Sequence, residues 1–171
     1  MLVTNRVAFK LIVFTLCFSW NSAHAEIVLP RLISSGMVLQ RDKEIKLWGW
    51  ANPGEAIKIT FNKKEYKTTT DSAGNWENIL PPQNAGGPYV MLLEGENKVE
   101  ISDILIGDVW ICSGQSNMEL PLYRIEPLYP VEIAHADYPE IRYFQVPKIY
   151  NFKAPQTDLS YGNWQHIHPE N

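Results

Sequence analysis

Cysteine is scarce in this chain, and its two copies lie far apart. Cys17 and Cys112 are the only cysteines among the 171 residues. Neither a Cys-x-x-Cys nor a His-Glu-x-x-His spacing occurs, so the usual sequence signatures of zinc sites and dithiol redox sites are absent. We therefore expect no dedicated metal site and no cofactor.

An excess of basic residues is also missing. The chain has 15 lysines and arginines against 19 aspartates and glutamates, a formal net charge of −4 at pH 7. Domains that bind nucleic acid usually carry a basic patch that neutralises phosphates. The mildly acidic balance argues against a nucleic-acid partner. It is compatible with an enzyme that acts on sugars, but it does not single that class out.

Long apolar runs are confined to the first 25 residues. Arg6 and Lys10 precede the apolar stretch 11–20, which is shorter than the ~20 residues that a membrane-spanning helix needs. Residues 23–25 then read Ala-His-Ala, which has the small-residue form of a signal-peptidase site. This order predicts a cleavable signal peptide over residues 1–25, with an uncleaved N-terminal anchor as the alternative.

Cleavage would leave a mature protein that begins at Glu26 and is secreted or periplasmic, with no stable membrane anchor. The removed segment holds two cations and no acid, which leaves 13 cations against 19 acids, a net charge of −6. Cys112 would then be the only cysteine, so no intramolecular disulfide could form. Because Cys112 follows an apolar stretch, we expect a small buried hydrophobic side chain rather than a reactive thiol.

Short alternating segments separated by turn residues fill the chain from about residue 27 to residue 101. Residues 57–61 alternate apolar and polar side chains, which is typical of a half-buried antiparallel strand. Asn-Pro-Gly at 52–54 and Asp-Ser-Ala-Gly at 71–74 are turn signals. Strands at this spacing predict an all-β, sandwich-like domain over residues 26–105.

The pattern changes near residues 103–107, where a continuous apolar run begins. Residues 104–106 and 109–111 are apolar on both faces, which indicates a parallel strand covered on both sides. Small and polar residues follow at 113–117, and ligands and nucleophiles of open α/β sheets lie at such carboxyl ends of strands. The sequence therefore predicts a second domain of α/β class from residue 106, with a sharp turn that presents Ser116.

Regular structure is only weakly indicated after that turn. Residues 131–136 predict one or two helical turns, and residues 141–146 predict a second strand of the α/β sheet. Residues 151–165 are polar and contain proline, which favours a loop.

The run Gly-Asp-Val-Trp-Ile-Cys-Ser-Gly-Gln-Ser-Asn-Met-Glu, from Gly107 to Glu119, resembles the first conserved block of the sialate O-acetylesterases. These enzymes are a branch of the SGNH (GDSL-like) hydrolases. Residues 29–30, 36–42, 48–50 and 85–89 also resemble the N-terminal β-domain of that family, so the resemblance covers roughly residues 27–119. It implies that residues 106–171 are the incomplete start of a flavodoxin-like SGNH hydrolase domain.

By this resemblance, Ser116 is the nucleophile, and its own N–H is one donor to the oxyanion. The family also needs a later Gly and Asn as further donors, and a late Asp-x-x-His that supplies the base. No Asp-x-x-His occurs among the 171 residues. Because a catalytic triad acts as a unit, we expect the N-terminal fragment alone to be inactive. The flanking Gln115 and Asn117 could serve the site or only satisfy backbone groups of the turn.

The function that the resemblance implies is that of a carboxylic ester hydrolase which removes acetyl groups from O-acetylated sialic acids. The Gly-Gln-Ser-Asn-Met core is shared with acetylxylan esterases, so it is specific for the reaction and not for the sugar. An acetylxylan or other glycan acetylesterase is therefore one alternative. A non-catalytic carbohydrate-binding or structural β-module is another, and the oligomeric state stays open.

Two groups of ring-bearing residues complete the set of candidates. Trp48, Trp50 and Trp76 favour packing in the core of a small sandwich, with a sugar-stacking platform as the alternative. His166 and His168 would lie on one side of an extended segment. Two such ligands are poor evidence for a metal pair, so we expect ordinary residues there.

Overall fold

The computed structural model describes residues 26–169. The predicted signal peptide and its cleavage site after Ala25 lie outside the described residues. Strands dominate the described part, which confirms a β-rich domain. The strands are β1 (Val38–Gln40), β2 (Ile45–Trp50), β3 (Ala56–Phe61), β4 (Lys64–Thr69), β5 (Asn75–Leu80), β6 (Gly86–Glu94), β7 (Lys98–Gly107), β8 (Tyr138–Phe144) and β9 (Trp164–Ile167).

Seven of these strands form two sheets between residues 38 and 107. The larger sheet has the order β1-β7-β6-β3-β4, and the smaller sheet pairs β2 with β5. All pairs are antiparallel except β1–β7, which is parallel and runs from Val38 opposite Leu105 to Gln40 opposite Gly107. The two sheets are the β-domain that the alternating pattern predicts.

The two sheets share one hydrophobic core. Alternation on β3 buries Ile57, Ile59 and Phe61, and alternation on β2 buries Ile45 and Leu47. Each fully buried aliphatic or aromatic side chain contributes about 1.5–3 kcal/mol through the area it removes from water. The core cluster comprises Ile27, Ile33, Met37, Ile45, Leu47, Ala51, Ile57, Ile59, Phe61, Trp76, Leu80, Met91, Leu93, Ile101, Ile104 and Ile106.

The predicted strand across residues 104–111 is only half correct. β7 ends at Gly107, and Ile104 and Ile106 are buried in the β-domain. Beyond Gly107 the chain leaves the sheet, and Trp110 and Ile111 are 83% and 95% exposed. The parallel neighbour of β7 is β1 of the same β-domain, not a strand of a second sheet. The apolar run past Gly107 has no pairing strand among residues 26–169.

From residue 108 onward the described chain is sparsely structured. Two 3-10 turns, Ser116–Glu119 and Leu122–Arg124, precede α1 (Pro130–Ala134) and the β8–β9 hairpin. The predicted helical turns are confirmed as α1, and the predicted strand near residue 141 is confirmed as β8. That strand pairs with β9 in a separate two-stranded sheet, so its predicted place in an α/β sheet stays a prediction. Residues 108–169 contain no parallel strand pair, so the α/β class of this part stays a prediction.

The β8–β9 hairpin is attached to the β-domain at several points. Arg142 donates from Nη1 to Oδ2 of Asp103 at 2.8 Å and from Nη2 to Oδ1 at 3.0 Å. The Trp164 Nε1–H donates to the carbonyl of Leu32 at 2.9 Å. The hairpin therefore lies against both the end of the larger sheet and the segment before β1. No helix among residues 26–169 is long and apolar enough to cross a membrane.

Candidate active-site loop

The loop that carries Ser116 begins where β7 ends, and the last residue of β1 and the residue after it hold residues 107–109 in place. The Arg41 N–H donates to the Gly107 carbonyl at 2.9 Å, and the Arg41 Nε–H donates to Oδ1 of Asp108 at 2.8 Å. The Val109 N–H donates to Oε1 of Gln40 at 2.9 Å. These bonds fix the direction in which the chain leaves β7.

We call these contacts of Gln40 and Arg41 with Asp108 and Val109 the clamp, and charge adds little to its stability. The ion pair of Arg41 and Asp108 is about half exposed on both side chains. The Asp108 carboxylate raises the pKa of the Arg41 guanidinium, first through the hydrogen bond and then through its charge. Exposed ion pairs contribute little to stability, so the effect of the clamp is mainly geometric.

Ser116 is the first residue of a tight 3-10 turn at the surface. The turn spans Ser116–Glu119, and the Met118 N–H donates to the Gln115 carbonyl at 2.9 Å. As the first residue of the turn, Ser116 has an N–H without a partner inside it. Its exposed hydroxyl forms no hydrogen bond to any residue between 26 and 169. The side chain is therefore accessible to a substrate, but no base contacts it in the described part.

Gly114 leaves room for the side chain of Met118. A Cβ added at Gly114 would lie 2.7 Å from Cγ of Met118, closer than real Cβ contacts occur. In this conformation, the Met118 side chain occupies the space that a side chain at residue 114 would take. This contact gives a local physical reason for the Gly in the Gly-Gln-Ser-Asn-Met sequence.

The polar side chains next to Ser116 do not cap the turn. Gln115 precedes the turn with φ −103° and ψ −161°, and its side chain makes no capping hydrogen bond. Asn117 is exposed and likewise forms no side-chain hydrogen bond within residues 26–169. Of the two alternatives for these amides, the structure does not show the one in which they satisfy backbone groups of the turn, and both side chains are exposed.

Cys112 is exposed, which corrects the expectation of a buried side chain. The expectation rested on the apolar residues before it, and those residues lie outside the sheet. Their local pattern resembles a strand, but burial requires another strand or helix to cover them. Among the described residues, none does so.

The histidines of the described part do not form a triad with Ser116. Nδ1 of His135 lies 2.7 Å from the carbonyl of Val131, within its own helix end. The rings of His166 and His168 lie edge to face, with centroids 6.0 Å apart, so they do share one side. Residues 26–169 hold no group of three or more side chains suited to a metal ion.

The three tryptophans divide into two environments. Trp76 is buried in the core, as the packing prediction requires. Its ring fits over Gly49, where an added Cβ would come within 2.9 Å of the indole. Trp48 and Trp50 are half-buried and project from the opposite face of the small sheet, and Trp48 also packs against the core cluster. The packing prediction is therefore confirmed for Trp76, met in part by Trp48 and not met by Trp50.

Sequence reasoning missed Gln40 and Arg41 as residues that position the Ser116 loop. They lie 69 and 67 positions before their partners Val109 and Asp108. No periodicity or local motif connects positions so far apart. The available signal was that both segments independently carry the family resemblance, and in the fold the two segments are in direct contact.

No protein-family model matches the chain. It is 32% identical over 105 residues to the sialate O-acetylesterase of Homo sapiens, and the match covers 54% of this chain and 20% of that protein. It is 29% identical over 129 residues to the sialate O-acetylesterase of Mus musculus, and the match covers 68% of this chain and 24% of that protein.

A solved structure is also similar, that of a carbohydrate acetylesterase from Xanthomonas citri. The sequences are 38% identical, the TM-score is 0.80, and the match covers 85% of this chain and 33% of that one. The chain thus spans between a fifth and a third of the length of the proteins it matches. Together with the Gly107–Glu119 motif, these similarities support a relationship of this chain to the sialate O-acetylesterase family, over part of the length of its members.

Proposed function

We propose that this chain supplies the nucleophile, Ser116, of a carbohydrate O-acetylesterase. The observation that carries the proposal is the accessible Ser116 hydroxyl on a tight turn, in the loop that follows the anchored end of β7. The names of the similar proteins support the same reaction, since each is called a sialate O-acetylesterase or a carbohydrate acetylesterase.

In the proposed reaction, the Ser116 Oγ attacks the carbonyl carbon of the acetyl group while its proton passes to a histidine. The bond between that carbon and the sugar oxygen breaks, and the sugar leaves with the proton. Water then hydrolyses the acetyl-enzyme and releases acetate. The Ser116 N–H is one donor to the tetrahedral oxyanion, and a single such donor is worth roughly 10²–10³ in rate.

The remaining catalytic groups of the proposal come from outside this sequence. Neither an Asp-x-x-His nor a histidine in contact with Ser116 is found between residues 26 and 169. We therefore assign the base, its carboxylate and the further Gly and Asn donors to a longer protein that contains this segment. A nucleophile without its base gives little catalysis, because the triad acts as a unit.

The proposed substrate is an O-acetylated sialic acid, and the alternative is acetylated xylan or another acetylated glycan. The vertebrate relatives favour the first, because their names specify sialate. The bacterial structure favours neither, because its title specifies only a carbohydrate. A non-catalytic carbohydrate-binding module is a second candidate function, and its supporting observation is a cleft lined by Trp48 and Trp50 on the small sheet.

The test measures acetate release by the longer enzyme with Ser116→Ala and with Ser113→Ala as the matched control. Both serines are exposed in the same loop. We expect the first change to lower kcat by a factor on the order of 10⁶ and the second to have little effect, since removing a nucleophile prevents the acyl-enzyme from forming. Equal activity of Ser116→Ala and wild type would refute the proposal.

The same assay separates the substrates and tests the isolated chain. If O-acetylated sialic acid is the substrate, it should be hydrolysed faster than acetylated xylan. The opposite order would favour a glycan acetylesterase. The 171-residue chain by itself should release no acetate above background. Release that depends on Ser116 would mean that a base within this chain serves it.

We also propose that the chain is exported with cleavage after Ala25. The charged start, the short apolar core and the Ala-His-Ala sequence support this assignment. N-terminal sequencing of the protein from the cell exterior or periplasm should begin at Glu26. An intact Met1 form held in the membrane would contradict it.

A further inference from the structure

The outward face of the small sheet presents two tryptophans in a row. Trp48 and Trp50 alternate with buried neighbours on β2, so both project from the same face. They are two residues apart, about 6.8 Å along an antiparallel strand. Opposite them on β5 lie the exposed Glu77 and Asn75, in register with Trp48 and Trp50 respectively.

These residues line a cleft of about 750 Å³, which we call the tryptophan cleft. This volume is within the roughly 300–1,000 Å³ of small-ligand sites. The end of β4 and the following turn contribute Thr68, Thr69 and Asp71, and the loop before β9 contributes Thr157. The cleft therefore draws its walls from three parts of the chain and combines two half-buried aromatic rings with polar groups.

Hydrogen-bonding groups in the cleft are held in place and left open to a ligand. The Asp71 carboxylate accepts the backbone N–H groups of Ala73 and Asn75, each at 2.8 Å, and the side-chain amide of Asn75 at 3.1 Å. The hydrogen bonds from Asn75 are the main cause of the lowered pKa of Asp71. Because the Asn75 amide nitrogen faces Asp71, its Oδ1 remains an acceptor without a partner among residues 26–169.

Trp76 belongs to the same pair of strands but faces the core. Its ring packs over Gly49, and its indole Nε1–H is buried without a hydrogen-bond partner in the described part of the chain. This donor lies on the core side of the small sheet, so the hydrogen-bonding groups that the cleft offers are those of Asn75 and the threonines of β4.

The charges of the cleft favour a neutral occupant. Lys46 is neutralised by Glu77, whose Oε2 lies 2.7 Å from its Nζ. Asp71 adds a further negative charge, so the three ionisable side chains of the cleft sum to −1. No cation remains for an anionic ligand, and a carboxylate or phosphate group would meet a site of its own sign.

The backbone around the cleft disfavours an extended peptide. On the far edge of β2, Val28 and Trp50 exchange two backbone hydrogen bonds, of 2.8 and 2.9 Å. On the far edge of β5, the Thr68 hydroxyl donates to the Glu77 carbonyl and the Asn78 amide donates to the Lys67 carbonyl. Both edges are therefore partly occupied, which leaves little room for β-augmentation.

We propose that the tryptophan cleft binds a neutral saccharide as a non-catalytic site separate from Ser116. A pyranose ring has an apolar C–H face and a rim of hydroxyl groups. The C–H faces fit the indole faces of Trp48 and Trp50, whose π-electrons attract positively polarised C–H groups. The hydroxyl groups fit Asn75 and the polar residues of β4. Two indoles side by side suit an oligosaccharide better than a monosaccharide.

The test titrates the full chain carrying Ser116→Ala with cellohexaose, xylohexaose and sialyllactose by calorimetry. We expect at least one neutral hexasaccharide to bind and the anionic sialyllactose to bind at least about tenfold more weakly. Trp48→Ala and Trp50→Ala should each lower the affinity by about tenfold or more, since aromatic side chains dominate such interfaces. The matched control is Trp110→Ala, an exposed tryptophan outside the cleft, and it should bind like the parent.

A second measurement covers the case in which the tryptophan variants lose their fold. Hydrogen exchange of the parent chain, with and without the hexasaccharide, should show added protection in residues 46–50 and 68–77. The proposal fails if no neutral oligosaccharide binds, if protection appears elsewhere, or if Trp110→Ala loses as much affinity as Trp50→Ala. The parent of the titration lacks the Ser116 hydroxyl, so these results do not depend on the proposed catalysis.

Discussion

The β-domain of residues 26–107 and the segment of residues 108–169 are both rich in apolar side chains, yet only the first buries them. Every residue of the core cluster lies between Ile27 and Ile106. In the later segment, Ile133 and Ala136 are the buried apolar residues that the structure describes. The large exposed side chains there include Trp110, Ile111, Leu128, Tyr150 and Phe152.

The difference teaches that apolar content does not create a core without strands or helices to cover it. In the β-domain, each inward side chain meets the opposite sheet. In the later segment, the described chain contains short turns, one short helix and one hairpin, and the hairpin is held to the β-domain by polar contacts and by the half-buried Trp164, which packs against the core cluster. Arg142 with Asp103 and Trp164 with the Leu32 carbonyl are the clearest of these contacts.

Hydrogen exchange should show the largest contrast between the two regions. Amides of β6 and β7 should exchange only through opening of the whole β-domain, whereas amides of residues 110–117 should exchange nearly as fast as in an unfolded chain. The expected difference is several orders of magnitude in protection. Strong protection throughout residues 110–117 would show that this loop is covered in solution.

Shortening one isoleucine in each region should change the free energy of unfolding by very different amounts. Ile59→Ala removes a fully buried side chain from the shared core and should lower the free energy of unfolding by about 2–5 kcal/mol. Ile111→Ala removes a side chain that is almost fully exposed and should change it by less than about 0.5 kcal/mol. Urea denaturation of both variants measures the contrast, and equal losses would contradict it.

Removal of the Arg142 guanidinium should loosen the hairpin without unfolding the β-domain. Its side chain is 11% exposed and makes two hydrogen bonds to Asp103. Hydrogen bonds to charged groups contribute about 1.5–3 kcal/mol, so Arg142→Ala should raise exchange in β8 and β9 about tenfold or more. Arg124→Ala, at an exposed position of a 3-10 turn, is the matched control and should leave exchange unchanged.

The smallest expected effect is a pH dependence of the thermal stability that arises from Glu94 in the β-domain. Hydrogen bonds from Lys58 and Lys98 lower the pKa of Glu94 from its ordinary 4.5 to about 2. The carboxylate therefore stabilises the fold above about pH 4.5, and this contribution is lost as the pH falls towards 2. Melting curves of wild type and Glu94→Gln should differ at pH 6 and converge near pH 2. A difference that persists at pH 2 would exclude this cause.

Much of the β-domain was predictable because its information is local. Alternation at residues 57–61 predicts the strand β3 and its buried side chains, and the turn residues at 52–54 and 71–74 lie between strands in the structure. The same local reasoning failed for Cys112, because its apolar neighbours resemble a strand in sequence. Whether such a run is buried depends on partner strands that the run does not encode.

The candidate site was predictable to a smaller degree. The resemblance singles out Ser116, and the structure shows an exposed hydroxyl at the start of a turn, while its catalytic role stays a proposal. The clamp of Gln40 and Arg41 on Asp108 and Val109 could not be predicted, because the partners are almost seventy residues apart.

By itself, the sequence determined which side chains share a face, since a strand alternates with a period of two whatever surrounds it. It thereby determined that Trp48 and Trp50 project together. Only the tertiary structure decided that their face lines an open cleft while Trp76 enters the core, because burial depends on which sheet packs on which face. It also decided that β7 ends at Gly107, since pairing with β1 and β6 stops there and the following apolar residues have no neighbour to pair with.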